Sequence, residues 1–290
     1  MIKITNINVD DVRFPTSKDL TGSDAIHTDP DYSATYVTIN TSEPKLKGFG
    51  IAFTIGKGND IVAECIRNYI PIFDGLSIKE VEKNIGKLWF DCVDHSQLRW
   101  LGPEKGVVHM AVAALFNALW DLISKKNKKP LWKFVVESSP DTIMNWLTFK
   151  YIEDVMTKDD AYKILTENQK FKKERTDIIL KEGYPSYTTA AGWLGYSNEK
   201  IIDLCKQYME RGWKHFKIKV GLNLEQDVKR LEIIRNTIGD DCFIMVDANQ
   251  QWSVNQSIKH INAYKKFDLL FVEEPTSPDD VMGFKKIKEA

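Results

Sequence analysis

The 290 residues are 43% hydrophobic, enough for one large core or two smaller ones, and this excludes a disordered chain. Forty Lys and Arg against 41 Asp and Glu leave a net charge of -1, so no overall field draws the chain to nucleic acid or to an anionic membrane surface. Cys65, Cys92, Cys205 and Cys242 are scattered with no C-x-x-C pair, which reads as reduced thiols in an intracellular, soluble protein rather than a disulfide framework.

In chain order, Met1 to Ile4 enters at once into an alternating strand pattern, with no signal or transit segment. The alternation covers Lys3 to Phe14 and returns at Ala34 to Asn40 and Gly48 to Thr54. Between the first two strands runs a Gly/Asp/Pro-rich loop that is long for a hairpin. The stretch Gly22 to Tyr32 is therefore weighed as a lid against a plain surface excursion. Helical periodicity takes over at Asp60 to Ile72, Ile78 to Leu88 and Gly106 to Ser124. No apolar run here approaches the roughly 20 residues of a membrane span. His109, Phe116 and Trp120 on the last of these helices read as packing residues without chemistry.

A stretch from Met144 to Glu182, strand-like at first and then charged and helical, is expected to decorate the C-terminal region. From Tyr184 the pattern becomes strand, loop, helix in repetition. Strands are expected near Ser186 to Thr189, at His215 to Val220, at Cys242 to Asp247 and at Leu269 to Glu273; helices are expected at Asn198 to Glu210, Leu224 to Ile238, Val254 to Tyr264 and from Asp279 onward. Such alternation makes a parallel sheet with right-handed crossovers, either doubly wound or a (β/α) barrel. The fold class is α/β, with an α+β domain over 1-143 and about four β/α units with a helical insertion over 144-290.

Three successive strands end on ionisable residues: Lys217 and Lys219, then Asp247, then Glu273 with Glu274. Barrel enzymes place reacting groups at the C-terminal ends of strands, and three such endings in a row outweigh the reading of polar residues that merely cap strands. Period-two geometry sets Lys217 and Lys219 on one face, where each is expected to disfavour the other's charge, so that one is neutral enough near pH 7 to accept a proton. Asp247 and Glu273 are hard oxygen donors suited to Mg²⁺. A base beside such a cation suits removal of a proton α to a carboxylate.

These residues, in the runs Lys217-Ile218-Lys219, Val246-Asp247-Ala248-Asn249-Gln250 and Val272 to Asp280, resemble the enolase superfamily, in its mandelate-racemase-like branch. The runs Val12 to Thr16, Ser23 to Ala25, His27 to Ser33, Arg99 to Gly106 and Gly192 to Ser197 are similar to the L-fuconate dehydratases of that branch. The resemblance spans the chain. It implies a capping domain followed by a (β/α) barrel, and an enzyme that converts L-fuconate to 2-keto-3-deoxy-L-fuconate. It further implies that Lys219 is the base, that Asp247 and Glu273 bind Mg²⁺, and that Lys217 and Asn249 contact substrate. Gly22, Ser23, Asp24 and Tyr32 match the closing loop that reads the distal hydroxyls. Glu274 is then a supporting neighbour rather than a ligand, and Gln251 stands where arginine is usual.

The family's third carboxylate ligand and its histidine would lie past Ala290. The chain as it stands is accordingly expected to be an inactive N-terminal portion, or a form that binds sugar acid or a partner protein without turnover. The partner expected is a small acid sugar, and the open half-barrel offers a strand edge for self-association. The resemblance implies a mitochondrial location, with the cytoplasm as the alternative.

Overall fold

Alternating apolar positions make three strands of the first 54 residues: β1 (Ile4–Arg13), β2 (Ser33–Thr41) and β3 (Gly48–Thr54), an antiparallel meander in that order. The computed structural model describes all residues 1-290. Ile4, Ile7, Val37, Ile39 and Ala52 point into the core, while Phe49, Ile51 and Phe53, on the other parity of β3, face outward. Three helices cover the inner face: α1 (Asn59–Phe73), α2 (Ile78–Val93) and α3 (Val107–Lys126). A capping box starts α2, with Ser77 Oγ accepting from the Glu80 N–H and Glu80 Oε2 accepting from the Ser77 N–H. By length and composition α3 could cross a membrane, contrary to the reading that no segment approaches that limit. Its Val108, Ala111, Ala114, Leu115, Ala118, Leu119 and Leu122 are instead wholly buried in the core of a globular unit. Gly50 on β3 lets the Ala114 carbonyl approach where any Cβ would collide, so helix and strand pack closely.

The chain divides into two compact units, Met1–Phe14 with Tyr32–Gly183, and Pro15–Asp31 with Tyr184–Ala290. This differs from the expected boundary at 143 in two ways. The segment after 143 has no strand at its start and belongs to the first unit. It comes after α4 (Leu131–Glu137) and α5 (Pro140–Met144) and continues through α6 (Lys158–Asn168) and α7 (Lys172–Glu182). The cause is aromatic: Trp146 meets Trp120 of α3 edge-on at 5.0 Å and stacks on Phe134 at 5.9 Å, and Lys150 pairs with Asp94 at 2.7 Å. The second difference is that the loop Pro15–Asp31 belongs to the β/α unit.

That unit contains α8 (Asn198–Glu210), β4 (His215–Lys219), α9 (Leu224–Ile238), β5 (Phe243–Asp247), α10 (Val254–Tyr264), β6 (Leu269–Glu273) and α11 (Val281–Glu289). The strands are parallel in the order β4-β5-β6. Fully buried Phe216, Ile218, Ile244 and Val246 join Ile201, Leu231 and Ile234 of the helices in one core. The expected strand at Ser186 to Thr189 shrinks to a single bridge between Thr188 and Phe216. Thr188 Oγ1 takes the Ala190 N–H at 3.2 Å and turns the chain away after that bridge. The fold is thus α/β, an antiparallel capping unit and a barrel-like parallel portion.

Candidate active site

Within β4 the alternation turns Ile218 into the core and leaves Lys217 and Lys219 together on the opposite face. Parallel register then pairs Lys219 with Asp247 and Asp247 with Glu273, so three strand ends deliver four charged side chains to one place. Lys219 Nζ donates to Asp247 Oδ2 at 2.7 Å, and Lys217 Nζ donates to the same oxygen at 3.2 Å and to Glu273 Oε2 at 2.7 Å. Lys217, Lys219 and Asp247 are 7%, 8% and 2% exposed, so these ion pairs are shielded from water and salt. Asn249 Oδ1 accepts a second hydrogen bond from Lys219 Nζ at 2.8 Å, and the Asn249 N–H donates to Asp247 Oδ1 at 3.0 Å.

For Lys217 the electrostatics correct the expectation that repulsion from its neighbour would disfavour its charge. Burial pushes the Lys217 ammonium down, but its contacts with Glu273 and Tyr187 and the charges of Asp247 and Glu273 together lift it above the ordinary lysine value. Burial likewise works against the Asp247 carboxylate, yet the hydrogen bond and charge of Lys219, with the Asn249 N–H and Lys217, hold it below the usual range. In this arrangement the carboxylates govern Lys217, which is held charged.

The loops after the strands continue the stitching. Ala248 N–H donates to the Glu273 carbonyl at 3.1 Å and Gln250 N–H to the Glu274 carbonyl at 2.7 Å, with Asn249, Gln250 and Glu274 all at positive φ. Positive φ in these non-glycine residues costs free energy and gathers at functional sites. Glu274 turns its carboxylate to Gln250 Nε2, 3.2 Å away, rather than to the lysines.

The resemblance-derived loop residues divide between the units. Gly22, Ser23 and Asp24 lie in the Pro15–Asp31 segment of the β/α unit. Ser23 is buried; its carbonyl accepts the Leu194 N–H at 3.1 Å and its hydroxyl accepts the Gly195 N–H at 2.9 Å. Thr21 Oγ1 and the Tyr196 hydroxyl meet at 2.8 Å, and Gly22 sits at φ 90°, the turn that a side chain would strain. Asp24 spends its oxygens on the N–H groups of Ile26 and His27 and on the His27 ring. Tyr32 belongs to the first unit, where its ring meets Phe53 edge-on at 5.1 Å.

Two aromatic neighbours of the lysines went without a role in the sequence reading. The Tyr187 ring centre is 4.9 Å from Lys217 Nζ, and the Trp193 ring centre is 5.7 Å from Lys219 Nζ. Trp193 lies in the run Gly192 to Ser197 that carries the resemblance, which was the available signal; Tyr187 had none. For a divalent cation, Asp247 and Glu273 supply two converging hard donors, both within reach of one ammonium, and that donor chemistry fits Mg²⁺. No three His, Cys, Asp or Glu side chains converge to form a complete protein cage.

Residues 200-290 match the family described as enolase C-terminal domain-like. Human mitochondrial enolase superfamily member 1 is 45% identical over 289 residues, which is 99% of this chain and 65% of the relative. Its crystal structure matches at a TM-score of 0.95 with 44% identity, again over 99% of this chain and 65% of that one. L-galactonate dehydratase of Hypocrea jecorina is 43% identical over 292 residues, covering 100% of this chain and 65% of its own length. A racemase of Streptomyces coelicolor A3(2), solved with bound magnesium, is 25% identical, with a TM-score of 0.71 over 98% of this chain and 66% of that one. The chain spans about 65% of the length of the curated relatives it matches. With lysines, aspartate and glutamate on consecutive strand ends and this likeness running from end to end, the chain belongs to the enolase superfamily.

Proposed function

We propose that this protein serves an acid-sugar dehydratase reaction, in which Lys219 removes the proton α to the carboxylate of a six-carbon aldonic acid and the 3-hydroxyl is then lost. The observation that carries this reading is the convergence of Lys217, Lys219, Asp247 and Glu273 within 2.7-3.2 Å on three adjacent strand ends. Asp247 and Glu273 would hold Mg²⁺, which when bound supplies positive charge for the enediolate. Lys217 offers an ammonium to the substrate carboxylate, and Asn249 contacts the substrate while its 2.8 Å hydrogen bond orients Lys219. Gly22, Ser23 and Asp24, in the same unit as the strand ends, would shape the distal end of the substrate site.

The proposed substrate is L-fuconate. It is L-galactonate without the C6 hydroxyl, so the dehydratase relative acts on a sugar acid of the same configuration, and the choice between the two falls on the distal contacts. The whole protein is proposed to work in mitochondria, with the cytoplasm as the alternative, and to self-associate. A second reading, binding of sugar acid or a partner protein without turnover, is favoured by the count of only two converging carboxylates.

The test is exchange of the α-proton of L-fuconate with deuterated solvent, tracked by NMR with Mg²⁺ present. The whole protein is expected to exchange the proton. Lys219→Ala is expected to lose exchange by about 10² or more while keeping its fold, the loss typical of a positioned base. Exchange that persists in the variant would remove Lys219 from the role. Exchange without release of the 2-keto-3-deoxy acid would favour the second reading.

A further inference from the structure

Arg230, on α9, is not among the charges that meet at the strand ends, yet it holds the loop that lies against Lys219. Its Nη1 donates to the Leu194 carbonyl at 3.2 Å, and its Nη2 donates to the carbonyls of Trp193 at 3.1 Å and Gly192 at 3.4 Å. The Gly192 carbonyl also accepts the Lys219 N–H at 2.9 Å. Gly192 itself rests so closely on β4 that a Cβ would run into the Lys217 carbonyl. On its far side the same short loop fastens Ser23, through the N–H groups of Leu194 and Gly195.

A half-buried guanidinium that spends its donors on three neutral carbonyls is costly unless it holds something in place. Asp227, on the same helix, acts on Arg230 through its charge but takes no hydrogen bond from it: its Oδ2 accepts the Gly221 N–H at 2.9 Å and the Tyr264 hydroxyl at 3.0 Å. Arg230 Nε, buried, has no hydrogen-bond partner at all. What the three carbonyls have in common is the indole between them: Trp193, whose ring centre stands 5.7 Å from Lys219 Nζ.

We propose that Arg230 is a positioning residue, which clamps the Gly192–Leu194 loop so that the Trp193 ring covers Lys219 and the Pro15–Asp31 segment stays docked beside it. The inference deepens the reading of Lys219 as the base. Its geometry concerns access to Lys219, which can be measured without substrate or metal.

The experiment uses the metal-free full chain and two readouts: the rate of trinitrophenylation of Lys219 by trinitrobenzenesulfonate at fixed pH, read by peptide mass spectrometry, and amide hydrogen exchange over 192-195. Folded Arg230→Met is expected to raise both by about tenfold, the factor that one lost charge-assisted hydrogen bond carries. Arg230→Lys, which retains a donor, is expected to fall between. Trp193→Leu is expected to raise Lys219 labelling by itself and to make Arg230→Met silent for labelling, because the effect passes through the indole. Unchanged rates in folded Arg230→Met, a lysine variant no better than the methionine one, or an undiminished effect in the Trp193→Leu background would each overturn the proposal. Should Arg230→Met not fold, Trp193→Leu decides alone: faster Lys219 labelling supports the clamp and an unchanged rate overturns it. If labelling behaves as expected while α-proton exchange is absent, the positioning stands and the dehydratase reading falls.

Discussion

Lys219 Nζ lies 2.7 Å from Asp247 Oδ2, across neighbouring parallel strands on which the two residues pair in register. The same oxygen takes Lys217 at 3.2 Å, so one buried carboxylate oxygen is shared by two lysine side chains. Glu273 touches only Lys217 and is 35% exposed along its side chain. The two proposed metal ligands are therefore unequal partners in the metal-free fold.

That inequality gives a prediction. Asp247→Asn leaves two buried lysines without their shared counter-charge, and breaking a buried pair in this way costs about 3-5 kcal/mol. Glu273→Gln opens a pair that water already reaches, with an expected cost of about 1 kcal/mol or less. Urea unfolding in chelator separates the two. Calorimetric titration with Mg²⁺ should show both variants binding at least about tenfold more weakly, since each removes a charged oxygen ligand. Equal stability loss in the two variants would contradict the shared role of Asp247.

The strand-end chemistry was legible because it depends on local periodicity: Lys217 and Lys219 are two apart on a five-residue strand, and Asp247 and Glu273 each close one. The sign of the effect on Lys217 was not legible, because it depends on which carboxylates the register brings within hydrogen-bond distance. The division into units failed for a similar reason. Nothing local to Trp146 announces its stacking on Trp120 and Phe134, and nothing local to Ser23 announces Leu194 and Gly195, 170 or more residues away. Arg230 reads in sequence as one more charge on an amphipathic helix, and only the crossover back to the Gly192–Leu194 loop gives it a purpose.

The four cysteines allow a test of the fold with no reference to function. All are buried; burial pushes the Cys92 thiol up to about 12 and Cys205 up to about 11, and raises Cys65 and Cys242 as well. Thiols react as thiolates, so the folded chain at pH 8 is expected to give no fast reaction with a disulfide reagent such as DTNB. Four equivalents should appear once denaturant is added. Any cysteine that reacts at the rate of a free thiol in the native protein would place that residue outside the packed core.

The pH dependence of metal-free stability is set by Asp247 and Lys217 with opposite signs. Asp247 has its folded value depressed, so its contribution is present above the unfolded carboxylate value, about 3.9, and is lost as pH falls through the lower folded value. Lys217 has its folded value raised, so its contribution is complete below the unfolded lysine value, about 10.4, and is lost as pH rises through the higher folded one. Between those limits neither group adds any slope. Other paired carboxylates contribute to the acid limb too, Asp11 among them, held at about 2 by Arg13 and Asn59. The informative quantity is therefore the difference between wild type and Asp247→Asn, measured as unfolding free energy from pH 3 to pH 11 in chelator. That difference is expected to be widest across the middle of the range and to narrow toward both ends, by no more than about 1.4 kcal/mol per pH unit for each proton involved. The alkaline narrowing is the stricter half of the test, because without Asp247 only Glu273 and Tyr187 are left to hold Lys217 charged against its burial. A constant offset between the two proteins over the whole range would show that Asp247 and Lys217 do not share the charge that the geometry assigns to them.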